Sequence, residues 1–149
     1  MKKKYILVSL LLVALVMGGT GYSVSAGSMP KITGGGSFVN DLFGPYQGDK
    51  ISFKLNTMFS GQGAAGQFQL INHDAKTKLQ GSFSEYENLG TWIKLEGTCS
   101  IDGEGPHTLK LRLVDRGSSV YDIIYVYIDG SMTYHGGRDS NGNITVKEK

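Results

Sequence analysis

The segments Ile93-Lys-Leu-Glu-Gly-Thr-Cys99 and Leu109-Lys-Leu-Arg-Leu113 decide the fold class of this chain. In both, apolar or small residues alternate with polar or charged ones. A period of two places every apolar side chain on one face of a β-strand, whereas an amphipathic helix needs apolar residues at spacings of three and four. The two segments therefore predict neighbouring β-strands, each with one buried and one solvated face.

The same alternation continues outward in both directions from this pair. Upstream it covers 51–55, 68–70 and 79–83, and downstream it covers 121–128, 132–134 and 144–146. Segment 121–128 is apolar or aromatic on both faces, which predicts a central strand. Turn-forming residues recur about every 8 to 12 residues, as in sandwiches and barrels. We expect an all-β fold, an antiparallel β-sandwich or a small barrel of about eight or nine strands.

Short turn sequences connect the predicted strands. Asp129-Gly130 and Asn141-Gly142 each predict a type I′ hairpin turn, which needs positive φ at both central residues. Segments 72–77 and 100–106 are typical of loops. The glycine-rich stretches 34–36 and 61–66 precede no predicted helix, so they do not indicate a phosphate-binding or dinucleotide-binding loop.

The first 26 residues have the pattern of a signal peptide. Three lysines, Lys2 to Lys4, precede an apolar run that ends at Met17, and Val24-Ser-Ala26 offers small residues at a cleavage site. The apolar run is shorter than the roughly 20 residues that cross a bilayer core. We therefore predict cleavage after Ala26, a single domain over 27–149, a secreted or cell-surface location, and no stable membrane span after cleavage.

Removal of this segment changes the net charge of the chain. The formal charge of the full chain is +2, and the loss of three lysines lowers it to about −1. A nearly neutral domain with interspersed charges lacks the basic surface that nucleic acids require. Nucleic acid is excluded as an expected partner, and the partner classes left open are a cell-surface polysaccharide or a protein.

Cysteine, histidine and acidic residues offer little support for a cofactor or a metal. Cys99 is the one cysteine and lies on the predicted buried face, where a thiol behaves as a small hydrophobe. The histidines at 73, 107 and 135 lack the close ligand spacing of zinc sites. The acidic loop 139–143 resembles a calcium loop, but its glycine falls too early. We expect no cofactor and no metal.

Catalytic signatures are also missing from the sequence. Paired carboxylates for glycoside hydrolysis would have to flank a cleft, and the glutamates and aspartates here fall mostly on predicted loops or solvated faces. Ser82 lacks the strand-to-helix turn of a nucleophile elbow. A chain with no predicted helices and no long loops favours a non-enzymatic protein with no catalytic residues.

Aromatic residues are the feature that favours ligand binding. Five of them fall on or beside the predicted strands of the second half, and a flat aromatic row on a β-sheet stacks against sugar rings: Trp92, Tyr121, Tyr125, Tyr127 and Tyr134. Tyrosine is also common on half-buried strands, where it forms cross-strand pairs. Both interpretations stay open from the sequence.

The order of strands and turns resembles that of the post-COAP domain, a β module of secreted prokaryotic cell-surface proteins. The similarity lies in Ile32–Gly36, Gly66–Asp74 with Lys78-Leu79, Glu96–Gly103, Leu109–Asp115, Tyr121–Ile123 and Gly142–Val146. This chain differs from that domain in having a cysteine at position 99, where the domain commonly has a small residue. The resemblance implies an extracellular β domain that binds or supports rather than catalyses, and it transfers no functional residues. We therefore expect a binding or structural accessory, the alternative being a domain that binds a polysaccharide or small ligand through its aromatic face.

Overall fold

The computed structural model describes residues 30–60, 63–114, 122–137 and 141–147. The predicted signal peptide and its cleavage site at Ala26 lie outside these residues. The described part contains nine β-strands: β1 Lys31–Val39, β2 Lys50–Ser60, β3 Gly63–Asn72, β4 Thr77–Asn88, β5 Ile93–Ile101, β6 Glu104–Val114, β7 Ile123–Ile128, β8 Ser131–Gly136 and β9 Asn141–Lys147. Within the same ranges, no helix is long and apolar enough to cross a membrane.

All nine strands belong to one antiparallel sheet. Strands β1 to β8 follow one another as a meander, and β9 returns to pair with β1, so the order is β8-β7-β6-β5-β4-β3-β2-β1-β9. The sheet curls strongly into a half-barrel. The predicted all-β antiparallel fold of about eight or nine strands is confirmed. The continuous sheet also decides between the two architectures that the sequence left open, because a sandwich would need two sheets.

The hydrophobic core lies inside the curl. Side chains from every strand meet there because the alternation predicted from the sequence places them on the inner face. Those that are completely or almost completely buried are Ile32, Ile51, Phe68, Leu70, Leu79, Leu95, Leu109, Leu111, Leu113, Ile124, Val126 and Ile144. Burial of a side chain such as Leu111 contributes about 1.5–3 kcal/mol to folding.

The position of β7 in the sheet differs from the one predicted from the sequence. Its two apolar faces predicted a central strand, but β7 lies next to the edge strand β8. The inner face carries Ile124 and Val126, as expected. The outer face carries Tyr125 and Tyr127, which are half-buried. Their rings contact basic side chains of β8 and β6, respectively.

The predicted turns have a mixed outcome. Asp129 and Gly130 have φ of 49° and 80°, which confirms a turn with two positive φ angles. Asn141-Gly142 does not form a turn, because both residues belong to β9 and pair with Ser37 and Gly36 of β1. The turn in segment 100–106 is short, since β6 already begins at Glu104.

Aspartates at three turns bind backbone groups at one end of the sheet. Each turn that follows β3, β5 or β7 places a carboxylate against a backbone N–H of the strand before it, β2, β4 or β6. The donor–acceptor pairs are Lys50 to Asp74 at 2.6 Å, Lys78 to Asp102 at 2.8 Å and Thr108 to Asp129 at 2.9 Å. This recurring contact satisfies N–H groups that the ladder leaves free at that end.

Candidate functional site

The outer face of strands β2 to β5 carries two rows of polar side chains. These positions alternate with the buried ones, so all of them point away from the core. The strand register aligns Lys54, Gln69, Gln80 and Ser100 in one row. The second row consists of two cross-strand pairs, Asn56 with Gln67 and Ser82 with Thr98. We call these eight residues the polar groove.

The polar groove borders an open depression of about 1200 Å³. Six of its eight residues are exposed, while Gln69 and Ser100 are half-buried. No hydrogen bond or ion pair joins any of these side chains to another described residue. Because Lys54 is the one charged member, the surface offers amide and hydroxyl groups, each able to donate and accept hydrogen bonds.

The residues of the polar groove were not among the site residues predicted from the sequence. Its residues occupy every second position of four strands, which is the pattern of any solvated strand face. A signal was nevertheless present, because glutamine, asparagine, serine and threonine fill seven of the eight positions where charged residues are usual. Which strands are neighbours, and in which register, became evident only from the structure.

A second surface, on the outer face of β6 to β8, contains three of the predicted aromatic residues. Trp92 precedes β5, and Tyr125 and Tyr127 lie on β7; all three are half-buried. The Arg112 guanidinium carbon lies 4.3 Å from the centre of the Trp92 ring and 5.5 Å from that of Tyr127. At these distances the cation interacts with the electron-rich ring faces.

The remaining contacts on this surface also involve the ring faces. Lys110 Nζ lies 4.9 Å from the centre of the Tyr127 ring. The His135 imidazole stacks on Tyr125, with the centres 4.4 Å apart and the planes at 16°. Each of the three aromatic residues therefore has a ring face in contact with a basic side chain of the protein itself. A sugar that stacked on those faces would have to displace these side chains.

Tyr134, another of the predicted aromatic site residues, does not belong to this surface. Tyr134 is 3% exposed, because it occupies an inward position of β8, and its ring lies 5.5 Å from that of Tyr46. Burial raises the pKa of the Tyr134 hydroxyl, a hydrogen bond with Asn72 opposing the effect. Tyr134 is therefore a packing residue on the opposite face. Tyr121 lies outside the described residues.

The three histidines lie apart from one another: His73 follows β3, His107 lies in β6 and His135 lies near the end of β8. His107 contacts the Asp129 carboxylate through Nδ1 at 2.8 Å, and this bond, together with the Thr108 N–H, lowers the pKa of Asp129. His135 contacts Asp41, and His73 contacts Ser52. No group of three potential metal ligands occurs among the described residues.

The contact between Ser52 and His73 is the arrangement most similar to a catalytic pair. Ser52 Oγ lies 2.9 Å from His73 Nε2. A serine nucleophile also needs a group that orients the histidine and donors that stabilise an oxyanion. No other hydrogen bond of the His73 ring is present in the described part of the chain, so the contact alone does not form a catalytic site.

Comparisons with known proteins leave the family of the chain open. No family model, no curated protein and no solved structure matches it. The resemblance to the post-COAP domain stays a prediction that rests on the order of strands and turns.

Proposed function

We propose that this chain is a secreted or cell-surface, non-enzymatic binding module whose polar groove binds a neutral polysaccharide. The observation that carries the proposal is the pair of side-chain rows across β2 to β5, which present amide and hydroxyl groups with no partner among the described residues. The predicted signal peptide supports an extracellular location, where such polymers occur.

The chemistry of the groove matches that of a sugar. Each sugar hydroxyl both donates and accepts hydrogen bonds, and so does each glutamine or asparagine amide. The cross-strand neighbours Gln69 and Gln80 stand at the middle of the groove. A neutral ligand fits best because Lys54 is the one charge among the eight residues.

The extent of the groove favours a polymer over a small molecule. Its rows cross four neighbouring strands, which lie about 4.8 Å apart, so the surface spans on the order of 15 Å. That length corresponds to several sugar units. Because the depression is open, a chain can extend beyond it at both ends.

The alternative site for a polysaccharide is the aromatic surface around Trp92, Tyr125 and Tyr127. Stacking on exposed rings is the usual way in which aromatic side chains contact sugars. The observation that favours this alternative is that Trp92 and Tyr127 are half-exposed on one face of the sheet. The polar groove is the better candidate because its side chains have no hydrogen-bond partner among the described residues, whereas the aromatic rings contact Arg112, Lys110 and His135.

The test is thermal melting of the exported chain with soluble dextran, mannan and β-glucan. Mass spectrometry first reads the N-terminus, which we expect at Gly27. A glycan that binds the folded state raises the melting temperature in a dose-dependent way. We expect one of the three to do so, and we expect the double variant Gln69→Ala/Gln80→Ala to weaken its binding at least about tenfold, the equivalent of about 1.4 kcal/mol.

Two control variants make the outcome specific. Gln47→Ala removes an exposed glutamine from the loop between β1 and β2 and should bind like the unaltered chain. Tyr127→Ala tests the aromatic alternative. The proposal is contradicted if no glycan raises the melting temperature, or if Tyr127→Ala abolishes binding while the double variant retains it.

A further inference from the structure

Arg112 occupies an unusual position on the outer face of β6. Its guanidinium lies over the indole of Trp92 and beside the ring of Tyr127, so two aromatic residues hold the fork in place. Arg112 Nε is fully buried and has no hydrogen-bond partner among the described residues. A buried N–H of this kind normally has a hydrogen-bond partner, because a buried donor without one loses its hydration and gains nothing in return.

Two carboxylates of β4 and β5 lie near Arg112 and Lys110, and one of them, Glu96, faces Lys110 in the strand register. Lys94, which faces Arg112 across β5 and β6, lies 2.5 Å from Glu87 and 3.8 Å from Glu96. Within the described residues, no carboxylate lies within 4.0 Å of Arg112 or of Lys110. In the described part of the chain, Arg112 and Lys110 are therefore two cations without an ion pair.

Lys110 and Arg112 form a pair on the same face. They are two positions apart on β6, and both contact the ring of Tyr127. An arginine fork binds the oxygen atoms of carboxylate, sulfate or phosphate groups through two parallel N–H bonds, and a lysine beside it adds a point charge. The aromatic contacts reduce the entropy that Arg112 would lose on binding.

We propose that Arg112 and Lys110, held by Trp92 and Tyr127, form a binding site for an oxyanion of an extracellular polymer. The site is distinct from the polar groove, because it uses charge and lies on β6 and β7. A bound oxyanion would neutralise the two cations, and the arginine fork would supply its donors. The class of ligand is an acidic polymer that carries sulfate, phosphate or carboxylate groups.

Fluorescence of Trp92 provides a direct test, because Trp92 is the one tryptophan of the chain and contacts Arg112. The full exported chain is titrated with dextran sulfate, with unmodified dextran and with inorganic sulfate. We expect a saturable change of the emission with dextran sulfate that weakens as the salt concentration rises. A response to inorganic sulfate at similar sulfate concentrations would identify the free ion, rather than the polymer, as the ligand and would overturn the polymeric part of the proposal.

Three variants test whether dextran sulfate binds at this site or is held by nonspecific electrostatic attraction. Arg112→Gln should weaken the apparent affinity for dextran sulfate at least about tenfold, and Lys110→Gln should weaken it by a smaller factor. Lys31→Gln removes one exposed positive charge from β1 and should leave the affinity unchanged. The inference fails if Lys31→Gln has the same effect as Arg112→Gln, or if dextran sulfate causes no saturable change in the unaltered chain. Unmodified dextran reports on the polar groove, so the two proposals can fail independently.

Discussion

Cys99 lies on the inner face of β5 and is 4% exposed. Burial raises the pKa of its thiol to about 11, and the Asp129 carboxylate adds a smaller effect in the same direction. Because the thiolate is the reactive form, this environment makes the cysteine inert. The prediction from strand alternation, a cysteine that packs as a small hydrophobe, is confirmed.

At the residue scale, we expect Cys99 to react with iodoacetamide much more slowly in the folded protein than in the unfolded chain. At pH 8.5, a rise of the pKa from 9.0 to about 11 lowers the thiolate fraction of the folded protein by almost two orders of magnitude, on the order of 75-fold. The measurement is the labelling rate by mass spectrometry with and without urea. Equal rates would show that the side chain is accessible.

The same shift has a consequence for stability. The pKa of this thiol is about 11 in the folded protein and 9.0 in the unfolded chain. The contribution of the thiol to the free energy of unfolding is therefore fully present below pH 9.0 and is lost as the pH rises toward about 11. Over that window the free energy of unfolding should fall by about 1.4 kcal/mol per pH unit because of this group. Urea unfolding of Cys99→Ala supplies the control, since this part of the slope should be missing there.

At the scale of elements, glycine determines how closely β4 and β5 approach each other. A Cβ on Gly97 would lie 2.7 Å from the Phe83 Cα and even closer to the Ser82 carbonyl oxygen. The ladder between β4 and β5 shifts register next to this point, between Phe83 and Glu85. The close approach and the bulge together increase the local bend of the sheet.

We therefore expect Gly97→Ala to destabilise the protein by about 1–3 kcal/mol, because the backbone of β4 would have to move. Gly35→Ala is the matched control in β1, where a Cβ would meet nothing closer than the Phe53 carbonyl oxygen at 3.4 Å. Urea unfolding followed by Trp92 fluorescence measures both variants. If both variants lost a similar amount of unfolding free energy, the close approach of β4 and β5 at Gly97 would not be the cause.

At the scale of the whole molecule, side-chain hydrogen bonds connect the two edge strands of the curled sheet, β8 and β9, to other parts of the chain. Asn40 follows β1, is 1% exposed, donates to the Tyr46 carbonyl and accepts from the His135 N–H of edge strand β8, each at 2.9 Å. On the other side, the Asp122 carboxylate accepts from the Ile144 N–H of β9 at 2.6 Å. These contacts link β8 to the loop after β1, and β9 to the start of β7.

Replacement of Asn40 by alanine should weaken this connection. The variant leaves the His135 N–H and the Tyr46 carbonyl without their partner, and we expect a loss of about 2–3 kcal/mol of unfolding free energy. Hydrogen exchange should locate the effect at β8, with faster exchange of the His135 amide. Thr133→Ala removes a hydroxyl that bonds only within β8 and serves as the control. Unchanged exchange at His135 would argue against a linking role.

Alternation along the chain was sufficient to predict the fold class and much of the core. Leu95, Leu111 and Val126 lie inside, as the period of two requires, because each strand has two faces and only one can be buried. The positive φ angles at Asp129-Gly130 follow from the same local chemistry. Local sequence determines such features since they depend on neighbours within a few residues.

The tertiary structure alone decided which strands pair and which side chains lie together on their outer faces. Asn141-Gly142 has the sequence of a turn but lies in β9, because pairing with β1 satisfies its backbone. Tyr134 and Tyr127 look alike in sequence, yet one packs inside and the other contacts Arg112. The polar groove and the arginine site both combine residues from several strands. Their existence depends on register and curl, which arise from pairing between distant parts of the chain and cannot be derived from any one segment.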